Sequence, residues 1–472
     1  MNLSQIFFVN SEKIWRYFKN NPIFLYMTSE KKPAPGSKKS NFRWVIVSLL
    51  FIATAINYAD RTVLSIAGPA LSKSLNLDSV SMGYIFSAFG WSYVLAQLPG
   101  GWLLDRFGSR KVYTLSIFIW SFITFLTGFS GLFTGFAAVA ALFGLRFLLG
   151  IAEAPAFPAN SRITVAWFPT NETGTAAAIF NSAQYFATAL FAPLIGFIVH
   201  TYGWEYSFVF MGITGFAFLS VWMRYVRAPD RSRHINREEL EYIRNGGALV
   251  EMDQAVAKGK NNSLPKWRYL SQLMNNRMLA GVYIAQYCIN AITFFFITWF
   301  PVYLVQARGM TILKAGVIAV LPAVFGFVGG NLGGLFSDYL LKRGFSLSVA
   351  RKVPIVTGML LSMSMILCNY TATEWLVVAF MSLSYFGKGV GALGWAVNAD
   401  TAPKEITGLS GALFNTFGNL SSIITPIAIG YIIKATGSFN WALVFVSIHA
   451  FMAIVSYVLV VGKIQRFELK GI

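Results

Sequence analysis

Gly101-Trp-Leu-Leu-Asp105-Arg106-Phe-Gly108-Ser-Arg110-Lys111 sets one acid and three basic residues in eleven positions, with a long apolar run on either side. Charge gathered into a short connection between apolar runs is the way a chain that crosses a bilayer repeatedly separates its spans. The spacing G-x-x-x-D that opens this stretch recurs at Gly334 and Asp338. A second pattern, Gly174, Phe180 and Asn181, recurs with the same internal spacing at Gly408, Phe414 and Asn415. Both patterns share one offset of about 234 positions, so the chain reads as an internal duplication.

Composition agrees with a membrane chain and excludes the soluble classes. Of 472 residues, 56% are hydrophobic and only 12% charged, against roughly 25% charged in a typical globular protein. A crossing helix needs an apolar stretch of about twenty residues, and the sequence offers twelve candidates of about that length. They run near Trp44 to Ala67, Gly83 to Leu104, Val112 to Phe129, Gly135 to Phe157, Gly174 to Val199 and Ser207 to Tyr225. The second set lies near Leu279 to Val302, Ala315 to Ser337, Pro354 to Cys368, Trp375 to Val397, Gly408 to Ile433 and Trp441 to Val461. The expected fold is therefore all-α, with twelve transmembrane helices in two pseudo-symmetric six-helix halves, residues 42–225 and 278–461. A linker, 226–277, joins them, and a tail, 462–472, follows. Residues 1–41 lack a long apolar core and include a Lys, Pro and Gly tract from Lys31 to Lys39, which predicts a disordered extension in which Met27 is an alternative start to Met1. Within the linker, Asn236 is placed to cap a short helix through Glu238, Glu239 and Tyr242, ended by Gly246 and Gly247.

The net charge of +19 invites a nucleic-acid reading, and its placement disposes of it. Of 38 basic residues, 31 fall before the first span, at the even-numbered connections and in the tail, whereas only Lys73, Arg308, Lys314 and Lys434 fall on the other side. That asymmetry predicts cytoplasmic N- and C-termini in the cell inner membrane. Cys288 and Cys368 lie inside apolar runs, and His200, His234 and His449 are scattered, so no metal site or cofactor is expected. No nucleophile or cofactor motif marks an enzyme.

The remaining charges lie inside spans: Asp60 and Arg61 in the first, Arg146 and Glu153 in the fourth, Lys388 in the tenth. An ionised side chain at mid-bilayer costs at least about 2.5 to 3.5 kcal/mol on insertion scales. Internal pairing, for example Asp60 with Arg146, can offset part of that cost, but three cations and two acids leave one positive charge over. A central aqueous cavity that takes an anion and moves protons accounts for all five. Arg146 and Glu153 lie seven residues apart, two turns along one helix face, and Pro155 and Pro158 follow as candidates for a kink. Polar residues at helical spacing suggest further lining faces: Asn181, Gln184 and Thr188; Gln286, Asn290 and Thr293; Asn415, Asn419 and Ser422. The repeat offset sets Gly387 opposite Glu153, so Lys388 lies within one residue of the pseudo-symmetric partner of that acid.

Two parallel six-span halves with a mid-membrane site are the architecture of major facilitator transporters. The stretch from Gly101 to Lys111 resembles that superfamily's loop signature, G-x-x-x-D-R/K-x-G-x-R/K-R/K, at every defined position. Four further stretches resemble its anion:cation symporter family: Asn57-Tyr58-Ala-Asp60-Arg61, Met82-Gly-Tyr84-Ile-Phe-Ser-Ala-Phe89, Glu153-Ala-Pro-Ala-Phe-Pro158 and Phe180-Asn181-Ser-Ala-Gln184-Tyr185. Ile297 to Gln306, Phe386-Gly-Lys388-Gly and Asp400 to Glu405 resemble the bacterial branch that imports glucarate and galactarate with protons. The resemblance implies that Arg61 holds a substrate carboxylate, with Tyr58, Tyr93, Gln184, Trp395 and Asn415 around the sugar. It implies Asp60 and Glu153 as the proton carriers, tuned by Arg146, and Asp105, Arg106 and Arg110 as a conformational latch. Lys388 is expected to take the far carboxylate of a diacid.

The expected partners are a small organic anion, protons and the lipid bilayer, with the chain working as a monomer. The alternative within the class is a monocarboxylate sugar acid such as galactonate or a hexuronate; outside it stand a transporter-like sensor and an anion channel. One result follows directly. Deleting residues 1–38 is expected to leave uptake per folded molecule unchanged, because that tract precedes the first span and carries no packed-core pattern. Specific activity at matched membrane expression checks this.

Overall fold

A computed structural model describes residues 40–251, 267–403 and 406–469. Most of the tract expected to be disordered, residues 1–39, lies outside these, as do 252–266 of the linker and 470–472 of the tail. The described residues are helical, with no strand among them.

The first six spans are Phe42–Ser74, Ser79–Phe107, Ser109–Leu132, Gly135–Trp167, Thr173–Thr201 and Trp204–Tyr225. The second six are Arg277–Thr298, Ile312–Lys342, Leu347–Tyr370, Glu374–Thr401, Thr407–Thr436 and Asn440–Val460. Eleven of the twelve are long and apolar enough to cross a bilayer unaided. The exception is span two, Ser79–Phe107, which is long enough but rich in Gly, Ser, Tyr and Trp. Its composition suits a helix packed against the opposite half rather than bathed in lipid. Several helices outrun their apolar stretches. Span one continues past Ala67 to Ser74, since Ser72, Lys73 and Ser74 continue the helix beyond its apolar length.

Span four breaks where the prolines predict, into Gly135–Glu153 and Ala156–Trp167. Span ten breaks at the corresponding height, into Glu374–Val390 and Gly394–Thr401. Each break follows closely on an intramembrane charge, Glu153 in one half and Lys388 in the other. The duplication thus extends to the backbone geometry around the charged residues.

The linker helix forms as its cap predicts: Arg237–Asn245 opens on Asn236, whose side chain accepts from the Glu239 amide at 3.0 Å. It is docked on the first half. Fully buried Glu239 accepts from the Phe42 amide at 2.8 Å and from Arg43 Nη1 at 2.9 Å, while Arg43 Nε donates to Glu172 at 2.8 Å and Tyr242 donates to the same carboxylate at 2.7 Å.

The halves meet along two seams of small residues. Between spans two and eleven, a Cβ added to Gly83 would lie 2.7 Å from the Pro426 carbonyl oxygen, and one added to Gly430 would lie 2.5 Å from that of Ser79. Between spans five and eight, a Cβ on Gly316 would lie 2.7 Å from the Ala192 carbonyl oxygen. Side chains add Ser79 Oγ donating to Gly430 O at 3.0 Å and the Tyr84 and Tyr431 hydroxyls at 3.3 Å. Since spans alternate in direction, starts of even spans and ends of odd spans lie opposite the chain termini. Among the described residues, every hydrogen bond and ion pair between the halves lies at that opposite end.

The ion pair at the sealed end joins Lys434 to Asp78 at 2.9 Å. The lysine, and then the Ser81 groups, hold Asp78 down at about 2, below its ordinary 3.8. A carboxylate held low keeps its contribution at all higher pH and loses it only as pH falls through that value, so the pair is fully ionised from pH 5 to 8. Both groups are half exposed, which limits the contact to the strength of a surface pair. Lys434→Gln is therefore expected to change transport by less than about threefold, and equally at pH 5.5 and 7.5. An effect that differs between the two pH values would contradict this.

Candidate functional site

The intramembrane charges of the first half converge on the face of span one that meets span four. Asp60, Arg146 and Glu153 are all buried, Asp60 1% and Glu153 0% exposed. Arg61 donates to Glu153 Oε2 through Nε at 3.1 Å and Nη2 at 3.0 Å, and Nη2 also donates to Asn57 Oδ1 at 2.9 Å. Around the guanidinium stand three rings, Phe89 at 4.4 Å, Tyr58 at 4.8 Å and Tyr93 at 5.1 Å from its carbon. Aromatic faces attract a cation, so this cage holds Arg61 in place without consuming its hydrogen bonds. Its Nη1 has no partner among the described residues.

The pairing differs from the one the sequence suggested as an example. Arg146 reaches span one by donating to the Asp60 backbone carbonyl at 3.1 Å, not to its carboxylate. The ion pair of the site is Arg61 with Glu153. Asp60 Oδ1, Glu153 Oε1 and Arg146 Nε are enclosed without a hydrogen-bond partner among the described residues, as is Thr124 Oγ1 on span three. Buried polar atoms are nearly always satisfied, so such a group of unused donors and acceptors marks a site whose bonding changes as it works.

The second half supplies amides and one cation. Gln286 donates to Asn290 at 3.3 Å on span seven, and on span eleven Asn419 donates to the Asn415 side-chain oxygen at 3.1 Å. Trp395 stands half exposed against Phe414, centroids 4.9 Å apart. Gln184, on span five of the first half, is half-buried and bonds the Asn181 carbonyl of its own helix. Lys388 is buried, its ammonium 5.5 Å from the Tyr385 ring. Not every polar stripe lines this site. Ser422 bonds the Asn419 carbonyl and packs beneath Gly90 in the sealed seam, so it serves helix packing.

The loop after span two is tied to a residue that sequence reasoning missed, Arg162 in the second segment of span four. Asp105 is ion-paired to Arg162, which also donates to Ser109 at 3.2 Å. Arg106 instead lies over the Trp102 and Phe107 rings, and Arg110 donates to the Met223 carbonyl at 3.3 Å. All of these contacts stay within the first half. In the second half Asp338 is exposed, and the ion pair near that end is a different one, Arg351 of span nine with Asp400 of span ten at 2.7 Å. Arg162 was visible only as the lone basic residue of its connection.

The family model of the Major Facilitator Superfamily matches residues 50–350. The chain belongs to that superfamily. This major facilitator is 60% identical over 435 residues to a probable galactarate/D-glucarate transporter of Escherichia coli K12, covering 92% of this chain and 97% of the relative. It is 38% identical over 436 residues to a D-galactonate transporter of Escherichia coli O6:H1, covering 92% and 99%. Among solved structures, a D-xylose-proton symporter superposes with a TM-score of 0.67 at 16% identity, covering 89% of this chain and 98% of that one, which supports the shared fold. The protein is a multi-pass membrane transporter and not an enzyme.

Proposed function

We propose that this major facilitator imports a six-carbon sugar diacid, galactarate or glucarate, by proton symport and alternating access, with both termini in the cytoplasm. The observation that carries the reading is the Arg61–Glu153 pair, set inside the aromatic cage beside the interface between halves. Glu153 and a substrate carboxylate compete for the same guanidinium. A proton on Glu153 weakens its hold on Arg61 and frees the cation for the incoming anion; loss of the proton restores the pair and expels the substrate. Asp60, with one carboxyl oxygen unpartnered, is the second proton carrier, and Arg146 holds the backbone beneath it. Tyr58, Tyr93, Gln184, Trp395 and Asn415 surround the hydroxylated chain, and Asp105 with Arg162 steadies the terminal end; Arg106 and Arg110 complete that latch.

The relatives support the substrate class: the match to galactarate/D-glucarate transporters is far stronger than to the D-galactonate transporter. The test is uptake of labelled glucarate into proteoliposomes with pH and sodium gradients imposed separately. Accumulation driven by the pH gradient alone is expected. Accumulation driven only by sodium, or currents that do not saturate with substrate, would replace the proposal with a sodium symporter or a channel.

A further inference from the structure

We infer that Lys388 is the second-half anchor for one carboxylate of a dianionic substrate and that it sets the preference for a linear diacid over the matching monoacid. The inference deepens the transport reading above and rests on it. Each other intramembrane cation already has an oxygen partner: Arg61 has Glu153, and Arg146 has the Asp60 carbonyl. Lys388, 7% exposed, has neither ion pair nor hydrogen bond among the described residues. Yet its ammonium is not one of the fully enclosed, unpartnered polar atoms, so it keeps some exposed surface.

Its direction is fixed by its neighbours. A Cβ on Gly387 would lie 2.4 Å from the Gly358 carbonyl oxygen on span nine, and one on Gly389 would lie 2.4 Å from that of Gly326 on span eight. With those two positions pressed against the flanking helices, Lys388, turned about 100° from each, faces the side of the helix that carries Tyr385. The Tyr385 ring meets Phe296 of span seven at 4.3 Å and, across the interface, Tyr185 of span five at 6.5 Å. On span five Ala183 and Ala187, which flank Tyr185 in sequence, pack with Tyr58, one turn before Arg61. Lys388 therefore stands at the interface between the halves, beside the Tyr385–Tyr185 contact, and Arg61 is the first-half cation that a bridging substrate takes at its other end.

A desolvated ammonium without a counter-ion is unfavourable, and a diacid brings the missing charge. Its carboxylates are separated by five carbon–carbon bonds, roughly 6 Å, so one end can meet Arg61 and the other Lys388. A monoacid leaves Lys388 unpaired, a penalty that discriminates against it. Bridging also gives the loaded carrier a contact between halves that the empty one lacks.

The test measures competition of labelled glucarate uptake by unlabelled glucarate and galactonate in the wild type, Lys388→Met and Lys388→Arg. In Lys388→Met, affinity for the diacid is expected to fall by about thirtyfold or more and that for the monoacid to change less than about threefold, with Lys388→Arg recovering most of the preference. Should Lys388→Met transport nothing, thermal stabilisation of the detergent-purified Lys388→Met and Lys388→Gln proteins by each compound reads the same preference. Equal losses for both compounds, or an undiminished diacid preference, overturn the inference. Failure of the wild type to take up glucarate overturns the transport reading instead.

Discussion

Proteoliposomes carrying Glu153→Gln are expected to accumulate no labelled diacid against its gradient while still exchanging external for internal substrate. Glutamine keeps the volume of the side chain and an oxygen for Arg61 but cannot carry a proton, so it resembles the protonated state of the acid at every pH. Arg61 then remains available to the substrate, retained by Phe89, Tyr58 and Tyr93. Exchange needs only binding and reorientation of the loaded carrier and is expected within about tenfold of the wild type, whereas the accumulation ratio falls to about one. The pH dependence of binding should change as well. In the wild type, substrate affinity weakens as pH rises, because the deprotonated Glu153 carboxylate competes for Arg61; in the variant that competitor is absent and the slope flattens. Glu153→Asp, which retains the acid, is expected to recover part of the accumulation. Removing the cation instead, as Arg61→Gln, leaves a buried carboxylate unpaired, a change of about 3 to 5 kcal/mol, and is expected to abolish both exchange and accumulation. Normal gradient-driven accumulation by Glu153→Gln would falsify the competition mechanism.

The parts of this molecule legible in the sequence are those written along a single stretch of chain. The spans follow from apolar length, the linker helix from Asn236 and its glycines, and the break in span four from Pro155. The duplication was readable because Gly101 to Asp105 and Gly334 to Asp338 keep one spacing in one dimension. Pairing across spans was not. Asp60 adjoins Arg61 in the sequence and Glu153 lies two turns from Arg146 on its own helix, and only the packing of span one on span four decides that Arg61, rather than Arg146, takes Glu153. Arg162 escaped for a related reason: its partner Asp105 lies 57 residues away, and the loop signature offered Arg106 and Arg110 as nearer candidates. The sealed end was equally hidden. With 41 glycines in the chain, nothing distinguishes Gly83 or Gly430 until the opposing carbonyl oxygen is seen.

Those seam glycines carry the second large expected effect, since they test whether the halves rock against each other. In this conformation a Cβ at Gly83 would sit 2.7 Å from the Pro426 carbonyl oxygen and 3.2 Å from the Ile427 Cα, both backbone atoms that cannot turn aside. Even alanine forces spans two and eleven apart, at about 1 to 3 kcal/mol for overpacking, which is a population shift of roughly 5- to 150-fold away from this state. Valine, with two further methyl groups, is expected to exclude the state and to lower uptake by at least about a hundredfold. The same substitution has no opposing backbone when the seam is open, so the protein should still fold and should rest in the conformation open at the Asp78 end. Ser422, buried in the seam beneath Gly90, is the reporter. Because Cys288 and Cys368 are both fully buried, a Ser422→Cys protein has low background toward a membrane-impermeant thiol reagent. Adding Gly83→Val to it should raise labelling from the Asp78 side by at least about tenfold, with no such rise from the side of the termini. If Gly83→Val transports at the wild-type rate, the seam does not close during the cycle; if it loses transport without the one-sided gain in labelling, the glycine acts on stability rather than on access.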